Sequence, residues 1–322
     1  MLSMKLTSID SDDLCKYNTG LGNVLYQLSF QYCLTKKYNI KNNYNFLKIL
    51  VNKLKTFELN DYEKTIFRNL WENIDHTNYT TNTNHLTTDI DYDIILKETQ
   101  PHIYDEKLIQ TIIDNKTQNI LIKNSYLQSI FYFNEYEKTI QNLFSPDNKS
   151  TDYMKIKYPT IFDTDNNINI SIHLRLKWGA NLSYKSDYFQ DAIKYVNENV
   201  IEKNNQKNNQ KNINYYVFSD DIDQSHAILK NIDNLIYVSN NNDYIDLWLM
   251  SLCNHNIICH STLGWWGAYL NKNINKCVVY GSDISKYFFG SILGKASVIE
   301  KVKNNYFPKE WICIDSNSIY RH

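Results

Sequence analysis

Hydrophobic and polar residues alternate strictly through one stretch of this chain. Ile168, Ile170, Ile172 and Leu174 interleave with Asn169, Ser171, His173 and Arg175. A period of two predicts a β-strand with one face in a core. His173 and Arg175 then share the other face, expected to be solvated, near the strand's C-terminal end. In an open α/β sheet that end is where ligands bind. An Arg beside a His there suits a phosphate and its neighbouring ring.

The same reading extends in both directions. Met4 to Ile9 predicts a short strand. In Asn18-Thr-Gly-Leu-Gly-Asn23, Gly20 and Gly22 predict a tight loop, with Asn23 capping the next helix. Leu21, Val24, Leu25, Leu28 and Tyr32 mark that helix. Phe46 to Phe57 reads as helix, Thr77 to Thr88 as a polar loop, Asn119 to Lys123 as a strand and Glu135 to Phe144 as helix. The polar, turn-forming run from Ser145 to Thr151 opens an expected linker that ends near Asp165.

A β/α rhythm follows. Helices are expected over Asp187–Glu202, Asp243–Cys253 and Leu263–Leu270. Strands are expected over Tyr215–Phe218, Leu235–Val238, Asn256–Cys259 and, as the last, Lys276–Tyr280. The low-complexity Asn/Gln/Lys run from Glu202 to Asn214 reads as a solvated loop. Alternation of this kind predicts a mostly parallel sheet. The domain reading is an N-terminal domain over 1–160 and a Rossmann-like nucleotide-binding domain over 161–322.

Three strand ends carry chemistry. His173 and Arg175, Asp220 and Asp221, and Ser261 and Thr262 all fall just past a strand C-terminus. Ser261 and Thr262 also open a helix, where hydroxyls, free N–H groups and the dipole favour a phosphate. Together these predict a nucleotide site. Ser261 is equally suited to be a plain N-cap, a role compatible with phosphate binding.

Composition narrows the class. The chain has 322 residues, is 43% hydrophobic and carries a net charge of −1. That provides a sizeable core and no global field toward nucleic acid or an acidic membrane. Its six cysteines form no CxxC pair and no zinc spacing with His, so free thiols are expected. No apolar run reads as a signal peptide or membrane anchor, which predicts a soluble, cytoplasmic protein. Asp89-Ile-Asp91, Asp91-Tyr-Asp93 and Asp163-Thr-Asp165 resemble the DxD of metal-dependent sugar transferases, but the pattern is weak in so Asp-rich a chain.

The order of segments adds a resemblance. Gly20-Leu-Gly-Asn23, Tyr126-Leu-Gln-Ser129, His173-Leu-Arg175, Phe218-Ser-Asp-Asp-Ile222, Asp246 to Ile258 and Ser261-Thr-Leu-Gly-Trp-Trp-Gly-Ala268 occur collinearly. This set resembles the α-1,2-fucosyltransferase family, from about Gly20 to Asn271. The resemblance implies a GT-B architecture of two Rossmann-like domains facing a cleft. It implies a GDP-sugar donor on the C-terminal domain, a glycan acceptor against the N-terminal one, inversion, and no cofactor or metal. Carried over, Arg175 holds the donor diphosphate and is the catalytic residue. Ser261 and Thr262 bind phosphate, His173 and Asp246 address the guanine, and Gly22 and Asn23 line the cleft from the other domain.

The family continues His-x-Arg with Arg-Gly-Asp-Tyr, whereas this chain continues Leu176-Lys-Trp-Gly-Ala180. Lys177 restores a charge but not a guanidinium fork, and Trp178 can stack on a sugar. Three other readings stay open: a nucleotide-sugar or glycan-binding protein without turnover, the same fold with another GDP- or deoxyhexose donor, and a DxD-dependent transferase. Homo-oligomerisation is also left open.

Overall fold

In the computed structural model, residues 2–4, 20–40, 42–43, 62, 64–72, 92–123, 125–177, 186–202, 211–281 and 296–314 are described. The expected helix over Phe46–Phe57, the loop over Thr77–Thr88, Asp89, Asp91 and Trp178 lie outside them. The chain divides into two compact units. One is Met1–Ser145 with Lys301–Phe307; the other is Pro146–Glu300 with Pro308–His322.

In the first unit the elements are β1 (Leu2–Met4), α1 (Leu21–Tyr38), β2 (Asn42–Asn43), α2 (Arg68–Glu72), β3 (Ile94–Leu96), α3 (Glu106–Asp114), β4 (Ile120–Ile122) and α4 (Glu137–Leu143). The strands form a parallel sheet of order β2-β1-β4-β3. Leu21, Val24, Leu25, Leu28, Phe30, Cys33 and Leu34 of α1 are all buried, and so are Gln27, Ser29 and Gln31. A helix buried this far round lies inside the unit rather than on its surface. It ends at Asn39, which takes the left-handed conformation (φ 51°) at the C-cap. Asn23 is not its cap. The helix already begins at Leu21, with Gly20 in the extended cap position, so Asn23 sits in the first turn.

The second unit contains α5 (Asn148–Lys157), α6 (Pro159–Phe162), β5 (Asn167–Leu174), α7 (Ser186–Val196), β6 (Asn212–Ser219), α8 (Ile222–Ile228), β7 (Leu235–Val238), α9 (Asp243–Leu252), β8 (His255–Ile258), α10 (Thr262–Leu270), β9 (Val278–Gly281), α11 (Ala296–Tyr306) and β10 (Ile312–Ile314). The end of α11 groups with the first unit. The stretch expected as linker is largely helical. Asp147 caps α5 by accepting from Ser150 N, and Pro159 opens α6, where its missing N–H costs nothing. Lys276–Tyr280 is not the last strand, because β10 adds in parallel beyond β9. Three residues at a sheet edge are too few to show a period.

All six strands are parallel, in the order β10-β9-β8-β5-β6-β7. β5 is therefore central, with β6 and β8 on either side. Its apolar face is buried as expected, with Ile170, Ile172 and Leu174 fully enclosed. The opposite face is not solvated: Asn169, Ser171 and His173 are buried too. Parallel strands are covered by helices on both sides, so a polar face must find partners inside. Asn169 Nδ2 donates to Thr160 O (2.9 Å), and Asn254 Oδ1 accepts from Asn169 N (2.7 Å). Asn256 Nδ2 donates to Ser171 Oγ (2.7 Å) and to Met250 O (2.8 Å), while its Oδ1 accepts from Asn271 Nδ2 (2.8 Å). Among the described residues no helix is long and apolar enough to cross a membrane.

Asn256 is thus the hinge of a buried polar network. Asn256→Leu strands Ser171, Met250 O and Asn271 together, and is expected to cost about 2–4 kcal/mol. A fall in the urea midpoint with an unchanged slope measures it; a variant as stable as the parent would refute the network's role.

Candidate functional site

Counted from β5, the sheet order reads third, second, first, fourth, fifth, sixth. That is the doubly wound nucleotide-binding order, whose ligand crevice lies outside the strand C-termini where the order reverses. The reversal falls between β5 and β8. His173 and Arg175 end β5, and Cys259 to Thr262 follow β8, so both halves of the predicted phosphate site flank that point.

Arg175 leaves the sheet into solvent, its side chain 42% exposed. Its Nε pairs with Asp220 Oδ2 at 3.3 Å. Asp220, just past β6, also accepts from Leu176 N (2.6 Å) and Lys177 N (3.3 Å). One carboxylate thus holds both the guanidinium and the backbone that carries it. The pairing uses Nε, and the terminal nitrogens have no carboxylate partner among the described residues. The neighbouring Asp221 instead caps α8, its side chain accepting from Gln224 N (3.0 Å).

Ser261 occupies the N-cap position of α10 with extended backbone, but its side chain makes no capping bond. Its carbonyl accepts from Trp265 N (3.0 Å). Ser261 and Thr262 are half-buried residues at the positive end of the helix. Capping alone does not explain Ser261, since the capping bond is absent.

His173 is enclosed between β8 and α10. Its Nδ1 lies 3.3 Å from Cys259 Sγ. Burial, and then the nearby Arg175, push its pKa down to about 4. Burial lifts the Cys259 thiol to about 12. Both are therefore neutral at pH 7, and His173 brings no positive charge to a phosphate. Gly264 makes this packing possible: a Cβ there would stand 2.8 Å from His173 Nδ1. Gly267, one turn on, allows the same close approach to Met250. Within the Ser261–Ala268 motif the sequence alone assigns these glycines no role. Their signal was two small residues at i and i+3 on an otherwise bulky helix.

Asp246 lies in the first turn of α9, past the end of β7. Asn241 Nδ2 donates to its Oδ1 (2.9 Å) and to Tyr158 Oη (2.9 Å). Asn241 Oδ1 in turn accepts from Lys157 Nζ (2.8 Å) and Tyr153 Oη (2.9 Å). Burial raises the Asp246 carboxyl from its ordinary 3.8 to about 6, against a lowering by Asn241. Two strand spacings, about 10 Å, separate β7 from β5. Gly22 and Asn23 belong to the other unit, where Gly22 is buried and Asn23 Oδ1 accepts from Gln128 Nε2 (2.8 Å). Of the DxD residues, Asp163 accepts from the amides of Asn166 and Asn167, and Asp93 from Asn119 N. No three His, Cys, Asp or Glu side chains converge as a metal site among the described residues.

The model of glycosyl transferase family 11 matches residues 183–314. Over this stretch the chain resembles family 11. The resemblance read from the motifs therefore stands, and the family 11 stretch includes α7 through β10 with Asp246, Ser261 and Thr262. An Escherichia coli alpha-1,2-colitosyltransferase is 25% identical over 59% of this chain and 61% of its own length. The Escherichia coli O-antigen biosynthesis glycosyltransferase WbnK is 36% identical over 35% of this chain and 34% of its own. The chain thus spans less than two thirds of either relative. Among solved structures, fucosyltransferase NodZ from Bradyrhizobium gives a TM-score of 0.43 at 10% identity, over 83% of this chain and 92% of that one. An Arabidopsis thaliana FUT1 mutant in complex with GDP gives 0.44 at 13%, over 87% and 70%. Scores this low carry no residue correspondence.

Two outcomes test the geometry. Gly264→Ala drives a methyl into His173, and is expected to lower the melting temperature by several degrees, whereas Gly20→Ala, with open space at its Cβ, does so far less. For Asp246, the folded state holds the proton more tightly than the unfolded one. Its charge therefore costs stability that is absent below about pH 4, grows between 4 and 6, and is complete above 6. Asp246→Asn should gain on the order of 1–2 kcal/mol at pH 7.5 and almost nothing at pH 4 in paired denaturant titrations. An equal effect at both pH values would refute the burial argument.

Proposed function

We propose that this chain is a glycosyltransferase that moves L-fucose, or a closely related deoxyhexose, from a GDP-sugar to a hydroxyl of a glycan acceptor. The observation that carries the reading is the reversal of strand order between β5 and β8, with Arg175 on one side and the hydroxyl-bearing helix start at Ser261 on the other. Family 11 similarity over residues 183–314 supports the reaction class. The similarity to a colitosyltransferase supports a deoxyhexose donor.

In this reading the diphosphate lies between Arg175 and Ser261–Thr262, and the base reaches toward Asp246, which accepts from its N–H groups. The acceptor hydroxyl oxygen bonds to the anomeric carbon and gives up its proton to the departing diphosphate or to water as the bond to the diphosphate breaks, with inversion. The electron pair leaves with GDP. Charge grows on the departing phosphate, so Arg175 and the α10 start act most strongly in the transition state. No metal or cofactor takes part. His173 stays neutral and serves as the packed floor beneath the phosphate-binding turn.

Thermal shift with GDP in chelator is the first test. GDP at 100 times its dissociation constant should add about 2.7 kcal/mol of stability, fading below pH 6 as Asp246 protonates. Stabilisation by UDP with manganese, and none by GDP, would refute the reading. GDP binding without turnover of GDP-fucose or another GDP-deoxyhexose would identify a binding protein instead.

Arg175→Ala should lower turnover about 100-fold. Arg175→Lys should recover little, because an ammonium cannot make two parallel bonds to a diphosphate. Folding should persist, since a half-exposed pair with Asp220 is worth within about 1 kcal/mol. Near-normal turnover at saturating donor in the Ala variant would remove Arg175 from the site.

A further inference from the structure

Asp246 is held from outside its own helix, and the hold has a direction. Asn241, in the turn after β7, places its amide between two opposite charges. On one side Lys157, the last residue of α5, donates from Nζ to Asn241 Oδ1 (2.8 Å). On the other, Asn241 Nδ2 donates to Asp246 Oδ1 (2.9 Å). An ammonium can only donate and an ionised carboxylate can only accept, so the amide between them has one orientation. Its second Nδ2 hydrogen goes to Tyr158 Oη (2.9 Å), and both hydrogens are then spent. Tyr153 Oη accepts from Lys157 (3.0 Å) and donates to Asn241 Oδ1 (2.9 Å), which reinforces the same polarity.

Lys157 also holds the turn itself. Its Nζ donates to Ser239 O (3.1 Å) and to Asn240 O (3.3 Å), and Asn240 takes the left-handed conformation (φ 57°). Lys157 is an exposed residue. An exposed lysine ordinarily keeps its rotamer freedom, and ordering this one gives that freedom up. Holding the turn alone does not require the further bond to Asn241 Oδ1. Lys157 and Asn241 are 84 residues apart, and every member of the relay lies in the second unit.

The consequence falls on Asp246. Its Oδ1 is committed to Asn241, and its Oδ2 has no hydrogen-bond partner among the described residues. One oxygen is pinned and the other is presented, in the first turn of α9. Burial has the largest effect on this carboxyl; Asp243, on the same helix, disfavours its charged form, and Lys157, from α5, favours it. A carboxylate whose plane is set in advance meets a pair of N–H groups on a ring edge with little left to order.

We propose that Lys157, acting through Asn241, is the positioning residue that gives Asp246 its selectivity among nucleotide bases. This rests on the donor reading, in which the base N–H groups face Asp246. Guanine offers its N1–H and an N–H of its 2-amino group, and hypoxanthine lacks the second. The test is isothermal titration of GDP and of inosine diphosphate, in chelator at pH 7.5. The parent should bind GDP about 10-fold or more tightly than inosine diphosphate, the worth of one added hydrogen bond to a charged group. Lys157→Met keeps an unbranched stem and removes the donors. It should weaken GDP at least 10-fold and inosine diphosphate far less, so that the ratio falls toward one. Asn241→Ala should do the same, whereas Lys157→Arg, which also only donates, should keep the parent's ratio. The pH at which GDP binding fades, about 6 in the parent, should move upward in Lys157→Met, because a positive charge that favours ionised Asp246 is lost. A turn that was merely loosened would weaken both nucleotides alike and leave that pH unchanged. Equal weakening of the two nucleotides, an unchanged ratio in Lys157→Met, or an Arg variant as indiscriminate as the Met variant overturns the positioning role. So does a parent that binds GDP and inosine diphosphate equally. If the parent binds neither, the donor reading fails instead.

Discussion

β5 is buried on both faces, and the second unit depends on how its polar face is satisfied there. Asn169, Ser171 and His173 would each cost free energy if enclosed without partners. Thr160 O and Asn214 supply them for Asn169, and Asn256 and Cys259, at β8 and just past it, supply them for Ser171 and His173. The partnership fixes β5 against β8 in one register, because a slip of one residue would put Ile172 where Ser171 meets an amide. The reversal of strand order then falls at a junction locked by side chains as well as by backbone.

The candidate phosphate site is built on that junction. The strand carries Arg175 beyond the covered region, and Asp220 from the neighbouring strand end holds its Nε and the next two residues. On the other side, α10 must come close enough for its first turn to share the same crevice. Gly264 permits that approach, with His173 as the surface it rests on. His173 is buried beside Arg175, which with burial holds its pKa down to about 4.

Much of this was legible in the chain. The strict alternation from Ile168 to Arg175 identified β5, and the β/α rhythm after it determined a parallel sheet. Helical spacing from Leu21 to Tyr32 identified α1, and collinear motifs pointed to the sugar-transferase family. These are local or periodic signals, and backbone geometry ties them to structure without knowledge of distant residues. Tertiary structure alone decided the rest. Whether the face of Asn169, Ser171 and His173 meets water or protein depends on which helices cover it. β10 became a strand only because β9 offered it an edge. Nothing in the sequence marks Glu98. It becomes a clamp on Tyr126 and Leu127, 28 and 29 residues away, because two strand ends meet in space. Hydrogen bonds and burial between residues far apart in sequence leave no period to read, so those assignments had to wait for the fold.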